Sequence, residues 1–210
     1  MKKEQYIKKI TAAAKLYKQN LSGYTYLFIS STINGQYRYM EVAFHPRNFM
    51  HLVGASSATL SSVTFFDACL NNKLSPRDLI IENESQTKMK LDVIDELMKL
   101  PWTAKMIGDY NGNGNYLYTE KIAGNIRGCM GFVEQQNFLY YLPNTVLKSD
   151  IRQNVSTAFP IAAIYRKSIN DASYPAEPLV ISKNLRDKQL IWPEEVAKRI
   201  KNTAPSLATS

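Results

Sequence analysis

Apolar residues recur at helical spacing at the start of the chain. Ile7, Ile10, Ala14, Tyr17 and Leu21 form one stripe, and Lys2, Lys3, Lys8, Lys9, Lys15 and Lys18 supply much of the opposite surface. Ser22-Gly23 stops this helix, as glycine commonly does just past a helical end. The period then changes. Tyr24–Ile29 is aromatic and β-branched, Asn34-Gly35 is a strong hairpin turn, and Tyr37–Phe44 alternates. Met40, Val42 and Phe44 mark the core face of that second strand.

A helical block follows. Pro46 suits a first helical position, and Phe49, Leu52 and Val53 mark the apolar stripe of a helix over 46–54. Val63, Phe66 and Leu70 mark another. Ser75-Pro76-Arg77-Asp78 reads as a helix start, and Leu91, Ile94, Leu97 and Met98 carry a helix over 88–100 that Pro101 ends. Residues 108–115 read as a loop. Strands are expected at 116–123, 126–133, 137–142, 160–166 and 178–182, and a last amphipathic helix at about 194–202. Strands and helices do not alternate, so the expected class is α+β: N-terminal helix and hairpin, helical block, antiparallel β meander, C-terminal helix. Residues 1–203 form a single expected domain, with a disordered tail at 204–210.

Composition narrows the class. Hydrophobic residues are 45% and charged residues 21%, which excludes a fully disordered or fibrous chain. No apolar run reaches the roughly 18 residues of a membrane span, and no apolar segment follows the basic start as in a signal peptide. Two cysteines, Cys69 and Cys129, lack metal-ligand spacing and read as buried small hydrophobes. The expectation is a reduced, cytoplasmic protein with no membrane partner. The net charge of +8 is uneven: residues 1–50 hold eight Lys/Arg against two Asp/Glu, and residues 151–210 hold nine against five. Such an imbalance fits a polyanionic partner, and it equally fits a solvated basic surface.

Candidate chemistry is sparse. His45 and His51 are six residues apart and would lie about 240° apart on a helix, so they do not make a two-histidine metal site. Neither a metal nor a cofactor is expected. In a helix over 46–54, Arg47 and His51 fall at i and i+4, opposite Phe49, Leu52 and Val53. Histidine moves a proton near neutral pH and arginine clamps phosphate, so the pair fits phosphate chemistry. The bland reading is an exposed polar face. Lys121 and Arg127 flank the first strands of the meander, where they could face a groove. Leu142–Asp150, which contains Lys148, reads as a Pro-Asn turn ending in charges. Tyr37-Arg38-Tyr39 and Tyr165-Arg166-Lys167 interleave aromatic and basic residues, as base-stacking surfaces do and as ordinary strands also do.

Several segments, in order, resemble one family. These are Asn48–Gly54 with His51-Leu52-Val53-Gly54, Phe65–Leu70, Lys88–Val93, Pro143–Asp150 and Ile161–Lys167, followed by Tyr174. Over roughly residues 37–183 they resemble the phage-associated members of the barnase–EndoU–colicin–RelE-like superfamily. The resemblance implies helices leading into a small antiparallel sheet. It implies metal-independent RNA cleavage by a protein of phages, prophages or conjugative elements, toxin-like or effector in role. It carries over His51, with Asn144 and Asp150 as supporting residues. In that chemistry the RNA 2′-hydroxyl is the nucleophile, so a base, an acid and cations are needed. His51 is the expected base or acid, Arg47 and Arg127 the expected charge stabilisers, and Lys121 and Tyr174 further candidates. Lys8, Lys15, Lys148, Arg166 and Lys167 are expected RNA contacts, and a host or antitoxin protein is a possible second partner. The alternative is a non-catalytic nucleic-acid- or protein-binding anti-defence protein on the same fold.

Overall fold

The structure, a computed structural model, describes residues 1–32, 34–112, 118–135 and 140–201. Among these residues, six α-helices accompany a mixed sheet. Helix α1 (Lys3–Asn20) buries Tyr6, Ile10, Ala13, Ala14 and Tyr17, and its lysines lie on the exposed side as the stripe demands. Strands β1 (Tyr24–Ser31) and β2 (Tyr37–Ala43) form the expected hairpin, in register from Thr25↔Ala43 to Ser31↔Tyr37. A 3-10 turn (Pro46–Asn48) leads into the short helix α2 (Phe49–Leu52), followed by α3 (Ser62–Leu70) and α4 (Glu84–Leu97).

The Ser75-Pro76 signal makes a turn rather than a helix. The Asp78 carboxylate accepts from both the Ser75 N–H, at 3.0 Å, and the Ser75 hydroxyl, at 2.6 Å, which closes the turn locally. The following helix starts later, where the Asn83 side chain caps the Gln86 N–H at 3.0 Å. Pro101 lies inside a further short helix, α5 (Leu100–Thr103), in the first turn where its missing N–H costs nothing.

The sheet continues with β3 (Met106–Asp109), β4 (Lys121–Gly124), β5 (Cys129–Glu134), β6 (Tyr141–Leu147), β7 (Phe159–Ser168) and β8 (Val180–Ile181). Strand β3 occupies part of the expected loop at 108–115. Its Gly108 has no room for a side chain: a Cβ there would stand 2.4 Å from the Thr157 carbonyl oxygen. Residues 113–117 and 136–139, which begin two of the expected strands, and the expected tail at 204–210 lie outside the described residues. Segment 142–147 is strand rather than turn. Pro143 fits there because it pairs with Phe132 at a register shift between Gly131 and Phe132. The last helix, α6 (Glu194–Ala197), is shorter than expected.

The pairings close on themselves. From β1 they run through β2, β6, β5, β4, β3 and β7 and back to β1. All neighbours are antiparallel except the single β2–β6 pair Val42↔Tyr141, and β8 attaches to β7. The alternation in β1 assigns the two faces. Tyr26 and Phe28 join the main core with α1, α3 and α4, whereas Leu27 and Ile29 join a second cluster with Tyr165, Tyr174 and Val196. The C-terminal segment thus covers the face of β1 and β7 opposite the helices.

Candidate functional site

The placement of His51 begins with the aromatic residues beneath it. Tyr17 from α1 meets the rings of Phe44, Phe49 and Phe66 at 6.2, 5.4 and 5.6 Å, and its hydroxyl donates to the His45 carbonyl at 2.9 Å. Phe49 and Leu52 are fully buried in this cluster. With its two apolar anchors held inward, the single α-helical turn of α2 leaves His51 exposed.

Helix α4 braces the same turn. The Thr87 hydroxyl donates to the Gly54 carbonyl at 2.6 Å, and Lys90 Nζ donates to the His51 carbonyl at 3.2 Å. Gly54 makes this approach possible: it adopts φ +69°, and a Cβ there would lie 3.1 Å from Lys90 Cδ. Across from α2 and α4 stands β6. Between them is a cleft of about 590 Å³, lined by His51, Met89, Lys90, Tyr118, Asn144 and Lys148 among others. A smaller, more polar hollow of about 220 Å³ shares His51, Gln86 and Lys90 with it and extends to Ser56, Glu82 and Asn83.

The electrostatics of the cleft are set by few groups. Desolvation in the cleft, then the positive charge of Lys90, holds the His51 pKa below the ordinary histidine value. Desolvation likewise lowers the Lys90 pKa. Lys148 donates to Asp92 at 3.0 Å, and Lys9 lies 3.6 Å from the same carboxylate, so one anion stands between two ammoniums. That arrangement holds the Asp92 carboxyl below the usual carboxylate range. Asn144 Nδ2 donates to the Tyr118 carbonyl and fixes the rim. The lining of the larger cleft thus offers an imidazole, ammoniums, an amide and an exposed phenol ring.

The structure brings together His51, Asn144 and Lys148 of the sequence-expected residues. The others stand elsewhere. Arg47 is exposed, and its Nη2 lies 3.4 Å from Gln135 Oε1. Residues 46–48 form a 3-10 turn, so the i, i+4 relation of an unbroken α-helix does not hold between Arg47 and His51. Arg127 is exposed in the β4–β5 turn, where its N–H donates to Asn125 Oδ1 at 2.7 Å. Lys121 is ion-paired with Asp109 beside Arg38, around a separate small hollow. Tyr174 is fully buried and donates to Glu41 Oε1 at 2.8 Å. Asp150 caps the turn at 151–153 and is paired with Arg152.

The expected nucleic-acid contacts are also dispersed. Lys8 is exposed on α1, and Lys15 donates to Asn72 at 3.1 Å. Arg166 stacks over Tyr24 at 4.6 Å, and Lys167 stands over Tyr174 at 4.9 Å.

Lys90, Met89 and Tyr118 were missed as site residues. Met89 and Lys90 lie in the Lys88–Val93 segment of the family resemblance, and Lys90 is at i, i+4 spacing from Gln86, off the Leu91–Ile94 stripe, but neither signal assigns them a role. Tyr118 sits in a segment whose pattern says only strand.

Among the described residues, no three or more His, Cys, Asp or Glu side chains group where they could hold a metal ion, and no helix is long and apolar enough to cross a membrane. No curated protein and no solved structure matches the chain. A family model does match, over residues 9–183, a span that holds the whole aromatic support of α2, the α4 brace and the β6 wall. The chain belongs to the phage-Barnase-EndoU-ColicinE5/D-RelE like nuclease 4 family.

Proposed function

We propose that this nuclease is an endoribonuclease that cleaves RNA by attack of the 2′-hydroxyl, using side chains of the α2–α4–β6 cleft. It would act for a phage or another mobile element, inside the cell, as a toxin or effector. The observation that carries the reading is the position of His51 at a cleft shared with Lys90 and Lys148. A lowered histidine pKa keeps the imidazole neutral at neutral pH, the form a general base needs.

His51 takes the 2′-hydroxyl proton as the 2′-oxygen attacks phosphorus. The bond from phosphorus to the 5′-oxygen breaks, leaving a 2′,3′-cyclic phosphate and a 5′-hydroxyl. In this reading the Lys90 ammonium protonates the departing oxygen, and Lys148 adds positive charge near the phosphorane. The lining of the larger cleft supplies a nitrogen base and ammoniums rather than carboxylates, which suits proton transfer by side chains without a bound metal.

The test is incubation of the purified protein with total RNA in EDTA. Cleavage is expected, with 2′,3′-cyclic phosphate ends. His51→Ala is expected to lower the rate by roughly 10²–10⁴-fold without loss of fold, because the side chain is exposed. An unchanged rate in that variant removes His51 from the mechanism.

A further inference from the structure

Past the cleft, its two walls α4 and β6 converge on the β4–β5 turn. A Cβ on Gly128 would stand 3.2 Å from Val93 Cβ on α4 and 3.4 Å from the Leu147 carbonyl oxygen on β6. Leu147 is itself part of the cleft lining. The turn therefore closes one end of the cleft, and its outer residues, Ile126 and Arg127, are exposed.

One buried amide fixes this turn. Asn125 Oδ1 accepts from the N–H groups of Arg127, at 2.7 Å, and Gly128, at 3.3 Å. Its Nδ2 donates to Glu96 Oε1 at 2.7 Å and to the Thr103 carbonyl at 3.1 Å, which ties the turn to the end of α4 and to α5. Helix α5 carries Trp102. Ile126 is 61% exposed and Trp102 40%. Lys99, Lys105 and Arg127 lie on the same three segments, and among the described residues none of their side chains is ion-paired. The neighbouring carboxylates are engaged elsewhere. Glu96 holds Asn125, Asp150 is paired with Arg152, and Asp95 lines the groove between α1 and α4. Apolar surface set among uncompensated cations marks a contact surface for a polyanion.

We infer that Trp102, Ile126 and Arg127, with Lys99 and Lys105, form a second RNA-binding surface that prolongs the cleft and grips the strand away from the cut. The inference presupposes the nucleolytic reading, which supplies the strand. Cations neutralise its phosphates, and the indole packs on a sugar or base. From Lys90 to Leu97 α4 advances about 10 Å at ~1.5 Å per residue. That is about three stacked nucleotides at ~3.4 Å each, so a strand seated at His51 reaches the turn within a few steps. An acidic protein would also meet the cations, but only a strand leaving the cleft is led to them by the same two walls.

The experiment titrates two 2′-O-methyl RNA strands, which cannot be cut by 2′-hydroxyl attack, of about three and about ten nucleotides. The longer is expected to bind roughly tenfold more tightly or better, and Trp102→Ala to remove that advantage while binding the shorter strand as the parent protein does. Arg127→Gln, on an exposed side chain, should reduce the salt slope of the longer strand's binding by about one. Trp102 and Trp192 are the two tryptophans, and Trp192 is tied to Tyr165 in the second cluster. The longer strand should therefore quench emission in the parent protein and not in Trp102→Phe. Equal affinity for the two lengths, or emission unchanged on binding, overturns the inference and leaves the patch to a protein partner. If RNA is cut in a His51-dependent way while Trp102→Ala and Arg127→Gln bind the longer strand as the parent does, the second surface is wrong and the nuclease mechanism stands. If the length advantage depends on Trp102 and nothing is cut, the surface stands and the nuclease mechanism falls.

Discussion

Lys90 Nζ lies 3.2 Å from the His51 carbonyl oxygen, so α4 holds the backbone of the proposed base, and after desolvation the Lys90 charge lowers the imidazole pKa further. Both effects come from one side chain. Lys90→Met removes the charge and keeps most of the stem, so the His51 pKa should rise toward the ordinary value of about 6.5. Titration of the His51 ring protons by NMR checks this, and a pKa that stays put means the charge of Lys90 does not reach the ring. Cleavage should fall at the same time, by roughly 10²-fold or more if Lys90 also protonates the leaving oxygen.

The pH dependence follows from the direction of the His51 shift. A lowered pKa means the neutral base persists below pH 6.5, so the acid limb of kcat/KM should lie below the free-histidine value. In Lys90→Met that limb should move to higher pH. Stability has the same sign. The unfolded chain binds the His51 proton more readily than the folded one, so this group's contribution is complete above about pH 6.5. It is lost as pH falls from there toward the folded pKa. Denaturant melts at pH 7.5 and pH 5.5 should show less of this pH sensitivity in His51→Ala than in the parent protein.

Away from the cleft, a buried polar cluster ties the C-terminal segment to the sheet. Glu41 accepts from the Tyr174 hydroxyl and lies 3.7 Å from Lys167 and 3.5 Å from Arg199, while Arg199 donates to the Tyr39 hydroxyl at 3.0 Å. Burial first, and then the Glu41 charge, pushes the Tyr174 phenol far above its usual pKa, so it remains a donor. Tyr174→Phe removes one hydrogen bond to a buried anion and should cost about 2 kcal/mol in urea unfolding. A loss below about 0.5 kcal/mol indicates that water replaces the hydroxyl.

The β4–β5 turn is as tight as its geometry allows. A Cβ on Gly124 would stand 2.4 Å from the Gly128 carbonyl oxygen and 2.5 Å from Cys129 Cα, both backbone atoms. Gly124→Ala should destabilise by about 1–3 kcal/mol, read as a lower urea midpoint with an unchanged slope.

Much of the architecture is written in local pattern. The α1 stripe and the Asn34-Gly35 hairpin each depend on neighbours in sequence, and each forms where the pattern places it; α3 also forms, but it buries Phe65, Phe66 and Cys69 and leaves Val63 of the expected stripe exposed. Strand β3 was invisible because Met106–Asp109 is short and its Gly108 serves a contact with Thr157, far along the chain. Strand β6 was hidden by Pro143, whose tolerance depends on a bulge in β5. Alternation in β2 gave the Met40–Val42 face but not the burial of Glu41 on the other, since nothing local announces the segment that covers it. The cleft was half legible. His51 and Asn144 were carried over by the family resemblance and Lys148 was an expected RNA contact, but Lys90, although inside a resemblance segment, and Tyr118 acquire a place only when α4 and Tyr118 meet β6 at the cleft.

The covering of β1 and β7 by residues beyond 183 bears on how this nuclease can be handled as a unit. The family match ends at residue 183, yet Trp192 donates to the Tyr165 hydroxyl at 2.9 Å, Val196 is buried, and the Arg199 carbonyl accepts from the Tyr174 N–H. The evolutionary module and the folding module therefore have different right-hand borders. A fragment cut at the former would bare Leu27, Ile29 and Tyr165 and strip a cation from Glu41, inviting aggregation before any question of catalysis arises.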